Sequence, residues 1–391
     1  MKPSTALLAV CALAGCGDNR AAAVPADARV RVDAASHDGP PGADAPVDGH
    51  ADSRIPADAN PLEPTTLAGT GLCVDDACTT ISPGIQQYAP QFVLFADGAS
   101  KRRWIQLPAG TQIDTTDMDH WVFPVGTKVW KEFTTADTPP VRIETRYMVK
   151  ESADETQQDS WFFVSYAWNA AQTAATAAPD GVSNALGTTH DIPNQNDCTQ
   201  CHNQLKPTRV LGFGAISLDF TQADATIMDL DDVIGASMLT TNPPGTTSPH
   251  YPLPGTATEK AALGYLHANC GHCHNSDSSI FKNGQTGIQL RLDTLHLAHA
   301  TDTLTYTTTV DVTGQSFTLQ GSDCPPPGPD VTGNCPDLTT LVKSGDAAHS
   351  ILFARFAIAD LVGSNQHMPQ RGTKTIDPTG ELVLQTWIDG L

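Results

Sequence analysis

Apolar and polar side chains alternate between residues 141 and 150. Val141, Ile143, Thr145, Tyr147 and Val149 fall on one face of a strand, and Arg142, Glu144, Arg146, Met148 and Lys150 on the other. The stretch from about 90 to 170 also reads as strands. It gathers Trp104, Trp121, Phe123, Trp130, Phe133, Trp161, Phe162, Phe163, Tyr166 and Trp168. This pattern predicts a β-rich, sandwich-like domain over 64–185 with an aromatic core; the alternative is a carbohydrate or partner platform. The period changes further on. Thr256 and Glu259 have capping-box spacing, and Ala261, Leu263, Leu266, His267 and Cys270 follow at helical spacing. Asp377-Pro378 starts a last helix carrying Leu382, Leu384, Trp387 and Ile388. Thr301–Leu319, rich in Thr and Val, reads as a β-hairpin insertion. Asp346–Phe356 reads as a short helix with Ile351, Leu352 and Phe356 inward. The expected class is α+β multidomain, with residues 186–391 forming a mainly α second domain.

The N-terminus carries no such period. Lys2 precedes the apolar run Ala6–Ala14, which is too short to span a bilayer and ends in Leu13-Ala14-Gly15-Cys16. Residues 1–16 resemble a bacterial lipoprotein signal peptide whose lipobox makes Cys16 the lipidation site; the alternative is an ordinary signal peptide. Residues 17–63 are dominated by Ala, Asp, Pro, Gly and Val without an aromatic, and read as a disordered tether. The expected location is periplasmic or cell-surface, lipid-anchored to a bacterial membrane.

The net charge of -21 argues against nucleic acid and anionic lipid headgroups as partners, since both need a basic surface. It is compatible with steering toward a basic redox partner protein. Asp229-Leu-Asp-Asp232 is a solvated acidic loop or a calcium ligand set.

All ten cysteines can be placed. Cys11 leaves with the signal, and Cys16 is lipidated. By proximity, Cys73 pairs with Cys78 and Cys324 with Cys335, as suits an oxidising compartment. The other four lie in Cys198-Thr-Gln-Cys201-His202 and Cys270-Gly-His-Cys273-His274. Two thiols three positions apart on a helical turn reach the two vinyl groups of one haem, and the adjacent His is held beneath the iron. About 0.01 such matches are expected by chance from ten Cys and thirteen His. Zinc can also use Cys and His, but does not require His directly after the second Cys. The expected cofactors are two covalently bound haem c groups, with His202 and His274 as proximal ligands. The first motif follows a loop. Its sixth ligand is open among His190, His267, Met228 and Met238, or no residue binds there. His267, one turn before Cys270, is an equally good core histidine. His272 is expected to be exposed.

The helix ending in the second motif, the last helix and Met368-Pro369 between them resemble the class I cytochrome c fold. The resemblance implies that the two helices cross, with Gly264, Tyr265 and Trp387 at the contact. It also implies that Met368 is the distal ligand of the second haem; His367 is the alternative, with a lower potential. Pro90–Gly98, Phe123–Thr127, Trp130–Phe133, Leu211–Phe213, Gly264–Cys270 and Trp387-Ile388 together resemble a family of bacterial dihaem c-type cytochrome lipoproteins with a β-rich N-terminal region. That resemblance implies haem binding and electron transfer. The competing expectation is a haem enzyme, a peroxidase or small-molecule oxidoreductase, with an open first iron. A third is a binding module whose haems are sensory.

Overall fold

The strands expected between residues 90 and 170 form one sheet, not two facing ones. The computed structural model describes residues 63–314, 338–362 and 366–391. In it β1 (Gln86–Tyr88), β2 (Ser100–Gln106), β3 (Lys128–Thr134), β4 (Arg142–Lys150), β5 (Trp161–Trp168) and β6 (Ala175–Ala177) lie in sequence order, each antiparallel to the next. Cross-strand partners share a face. One face carries Trp104, Trp130, Tyr147, Val149, Val164, Tyr166 and Trp168, covered by Leu67 and Leu72. Cys73 and Cys78, joined as a disulfide with Cα atoms 5.0 Å apart, pack against this layer.

The opposite face is also covered, which corrects the expectation of one apolar and one polar face. Glu144, Met148 and Lys150 are buried. The second layer consists of helices and loops: α1 (Gln195–His202), α2 (Ala215–Leu218) and α3 (Leu230–Gly235). Val210, Phe213, Leu218, Leu230 and Val233 share a core with Ile105, Val129, Met148 and Phe163 of the sheet. Described residues on both sides of position 185 therefore share one compact unit. The tryptophans of the sheet are all 3% exposed or less, so they form cores and not a platform.

The remaining elements are α4 (Ala257–Asn269), α5 (Ser279–Lys282), α6 (Leu304–Thr309), α7 (Ile351–Ala357) and α8 (Pro378–Asp389). Helix α4 begins with the expected capping box, in which Thr256 and Glu259 each accept the other's backbone N–H. Helix α8 begins at Asp377, whose side chain accepts from Thr379 N. The two helices pack together, but through other small-residue contacts than expected. A Cβ on Gly380 would lie 2.3 Å from the Tyr265 ring, whereas the space at Gly264 admits Phe92. Trp387 packs edge-on to Tyr306 and donates to its hydroxyl at 3.1 Å.

Residues 304–309 are helical, which corrects the hairpin read there. Thr303 caps the helix by accepting from Tyr306 N, and Thr308 and Thr309 donate their hydroxyls to carbonyls four residues back. Backbone-bonded Thr and the burial of Tyr306 outweigh the strand propensity of the run. Helix α7 buries Ile351 and Phe356 as expected, with Leu352 partly buried. Asp229 and Asp232 form a second capping box at α3, which gives these carboxylates a structural use. No helix among the described residues is long and apolar enough to cross a membrane. Cys16, the tether and the pair Cys324 and Cys335 lie outside the described residues.

Candidate functional site

The first motif occupies α1 itself. Asn194 caps the helix by accepting from Asp197 N at 3.1 Å, and the helix lies against β5. Cys198, Cys201 and His202 follow within two turns. His202 Nδ1 lies 2.6 Å from the Arg209 carbonyl, and its ring is tilted over Phe163 with centroids 5.1 Å apart. A carbonyl can only accept, so Nδ1 carries the proton and Nε2 keeps its lone pair. Burial pulls the His202 pKa down to about 4, so the ring is neutral near pH 7. Arg209 is fully buried, with its guanidinium donating to the carbonyls of Glu155, Gln157 and Gln158, which fixes the loop that holds His202.

The second motif is a tight turn after α4. Cys270 N donates to Leu266 O, and both Cys273 N and His274 N donate to Cys270 O. A Cβ at Gly271 would meet His267 O at 2.7 Å and the Arg291 Cα at 2.9 Å, so the turn admits only glycine there. Asn275 holds the turn through hydrogen bonds to Gly271 O and His272 O. Burial lowers the His274 pKa to about 4, and its Nδ1 is buried without a hydrogen-bond partner.

The two motifs meet. His272 of the second motif lines the same cavity as Cys198, Cys201 and His202 of the first, so it is half-buried against that cavity and not exposed as expected. The neighbouring Cys273 thiol lowers the Cys201 pKa, and Cys201 raises that of Cys273; burial lifts Cys198 to about 11 and Cys270 to about 12. The four thiols are unpaired. Among the described residues no three or more His, Cys, Asp or Glu are grouped to hold a metal ion, so the zinc alternative gains no site.

A cavity of about 400 Å³ opens beside the first motif, lined by Cys198, Cys201, His202 and His272 on one side and by the sheet on the other. That is within the size range of ligand pockets. His190 and His267 also line it, but both are engaged. His190 Nε2 lies 2.7 Å from Glu144 Oε1. His267 Nδ1 accepts from Leu292 N at 3.0 Å, which leaves the proton on Nε2, 3.3 Å from Ser217 Oγ. Met228 and Met238 pack with the core of the sheet and are not in the lining, whereas Met118 and Met148 are. Met148 was readable as part of the polar strand face; nothing in the local pattern marks Met118. The sheet also contributes Arg103, Lys131 and Arg146 to the lining.

The loop with Met368 packs on α7, where Met368 N donates to Arg355 O at 2.9 Å. Met368 is partly buried. Its neighbour His367 is 2% exposed, with Nδ1 3.2 Å from Pro369 O and Nε2 buried without a partner. No protein-family model matches the chain, and neither a curated protein nor a solved structure matches it.

Proposed function

We propose that the protein is a dihaem c-type cytochrome that carries electrons outside the cytoplasm. The observation that most supports this is the state of His202. Its Nδ1–H is committed to a backbone carbonyl and its ring is buried and neutral, which is the tautomer an iron-ligating imidazole needs. The two thiols of the same motif line a cavity with an apolar wall. Under this reading Cys198 and Cys201 hold the first haem and Cys270 and Cys273 the second. His202 and His274 are the proximal ligands, and Met368 is distal to the second haem. Bound haem iron supplies one-electron redox chemistry. The chain's own part is to attach the rings, set the ligand tautomers, exclude water, and bring His272 of the second motif to the cavity of the first, so that electrons can pass within the molecule. Export and a lipid anchor at Cys16 are part of the proposal. They rest on the leader and are consistent with the Cys73–Cys78 disulfide, which suits an oxidising compartment.

One observation favours a second reading, a haem enzyme. The histidines that line the cavity outside the motifs, His190 and His267, already have hydrogen-bond partners, which favours an exchangeable position at the first iron. Oxidised and reduced spectra with a cyanide and peroxide challenge separate the two. The carrier reading expects two low-spin irons that ignore both reagents. A high-spin ferric signal that responds to peroxide would make the enzyme reading the better one.

A further inference from the structure

Strand pairing aligns three cations across the inner face of the sheet. Arg103 of β2 lies opposite Lys131 of β3, which lies opposite Arg146 of β4. All three line the cavity beside the first motif. One carboxylate on the same face answers them. Glu144 accepts from Arg146 at 2.6 Å and contacts His190. Although burial alone would raise its pKa, these partners hold it down to about 2. Arg103 is 5% exposed, and neither it nor Lys131 makes an ion pair or hydrogen bond through its side chain among the described residues. Burial, with Arg103 and Arg146 beside it, pulls Lys131 well below the ordinary lysine range.

The carboxylates that line the cavity are committed elsewhere. Asp97 accepts from the backbone of Lys374 and Thr375, and Asp119 from Thr294. Asp191 pairs with Lys374 at 2.7 Å, and Asp197 accepts from Asn194 at 2.7 Å. Lys101 shares the sheet face, outside the lining, and donates to Ala99 O. Arg146 is answered by Glu144, while Arg103, which is buried, and Lys131, which is half-buried, have no carboxylate partner on this face. Buried charge of that kind is costly unless it meets a counter-charge.

We propose that Arg103, Lys131 and Arg146 form a seat for the two propionates of the haem attached at Cys198 and Cys201. This rests on the haem reading above. A haem carries two carboxylates, one for each of the two side chains of the row, Arg103 and Lys131, that lack a carboxylate partner. They lie on the ring edge opposite the thioethers. Helix α1 lies against β5, and neighbouring strands are about 4.8 Å apart. The row therefore leads away from the thiols, from Arg146 on the strand next to β5 to Arg103 two strands further. The sheet thereby has a role in the cofactor site: its inner face is the charged end of the pocket.

The test is potentiometric titration of the haem-loaded full chain with Arg103→Gln, Lys131→Gln and Lys131→Arg. Lys128→Gln is the control, because it removes the same charge from the opposite face of β3. Propionates that lose their cations favour ferric iron. One of the two potentials should fall in both Gln variants, by several times the change in the control, while the other stays fixed. Lys131→Arg should restore it. Circular dichroism checks that each variant is folded. Unchanged potentials in folded, haem-loaded variants overturn the seat and leave the haem reading intact. Wild-type protein without haem at the first motif overturns both. An acetate-induced spectral change in wild type that Arg103→Gln abolishes would assign the row to a free anion and overturn the propionate seat.

Discussion

His367 and Met368 are sequence neighbours with different surroundings, and they set the sharpest residue-scale question. Met368 is the proposed ligand, yet His367 is the more buried and has an unpartnered Nε2. Met ligation predicts that Met368→Ala lowers one potential by on the order of 0.1 V, a fraction of the range axial ligands cover, while His367→Ala leaves the ligand-sensitive bands in place. The reverse outcome, read by redox titration and visible spectra, would move the assignment to His367. At His267 the two nitrogens are hydrogen-bonded, and burial drives the pKa down to about 3. The unfolded chain takes up a proton near pH 6.5 that the folded chain refuses. His267 therefore contributes stability above that pH and loses it as pH falls toward 3, by about 1.4 kcal/mol per pH unit. Urea unfolding between pH 6.5 and 5 should show that extra loss in wild type relative to His267→Gln. Equal slopes would mean that His267 takes up its proton alike in the folded and unfolded chain, and a change in the haem spectrum would make it a ligand.

Elements with local signals were legible. Helices α4 and α8 announce themselves by Thr256, Glu259 and Asp377-Pro378, and each starts at those residues. Helix α6 was not legible, because Thr303–Thr309 carries strand propensity and its helix depends on hydroxyl back-bonds and Tyr306 meeting Trp387. The alternation of β4 located the strand, but the use of its polar face was hidden. What covers that face comes from residues 205 to 240, beyond any local period. The packing of α4 against α8 was legible in outline, with the small residue misassigned. At Gly264 a Cβ would lie 2.1 Å from Phe92. Gly264→Ala should therefore cost about 1–2 kcal/mol, overpacking exceeding the gain in helix propensity. Chemical denaturation checks this, and a stabilised variant would mean that Phe92 moves freely.

At the scale of the molecule the two motifs, distant in the chain, contribute to one cavity through Cys198, Cys201, His202 and His272, and the sheet closes it. The two motifs and their spacing are read directly from the sequence; their approach to one cavity is not, since it depends on α1 lying against β5 and on the turn held by Gly271 and Asn275. The chain carries a net charge of -21, while Arg103, Lys131 and Arg146 line the cavity. The account stands on two rings being attached to one chain. Protein matured in a host with c-type haem attachment, measured by pyridine haemochrome with peptide mass mapping, should carry two haems, on the peptides of Cys198–Cys201 and Cys270–Cys273. A folded protein with all four thiols free would contradict it.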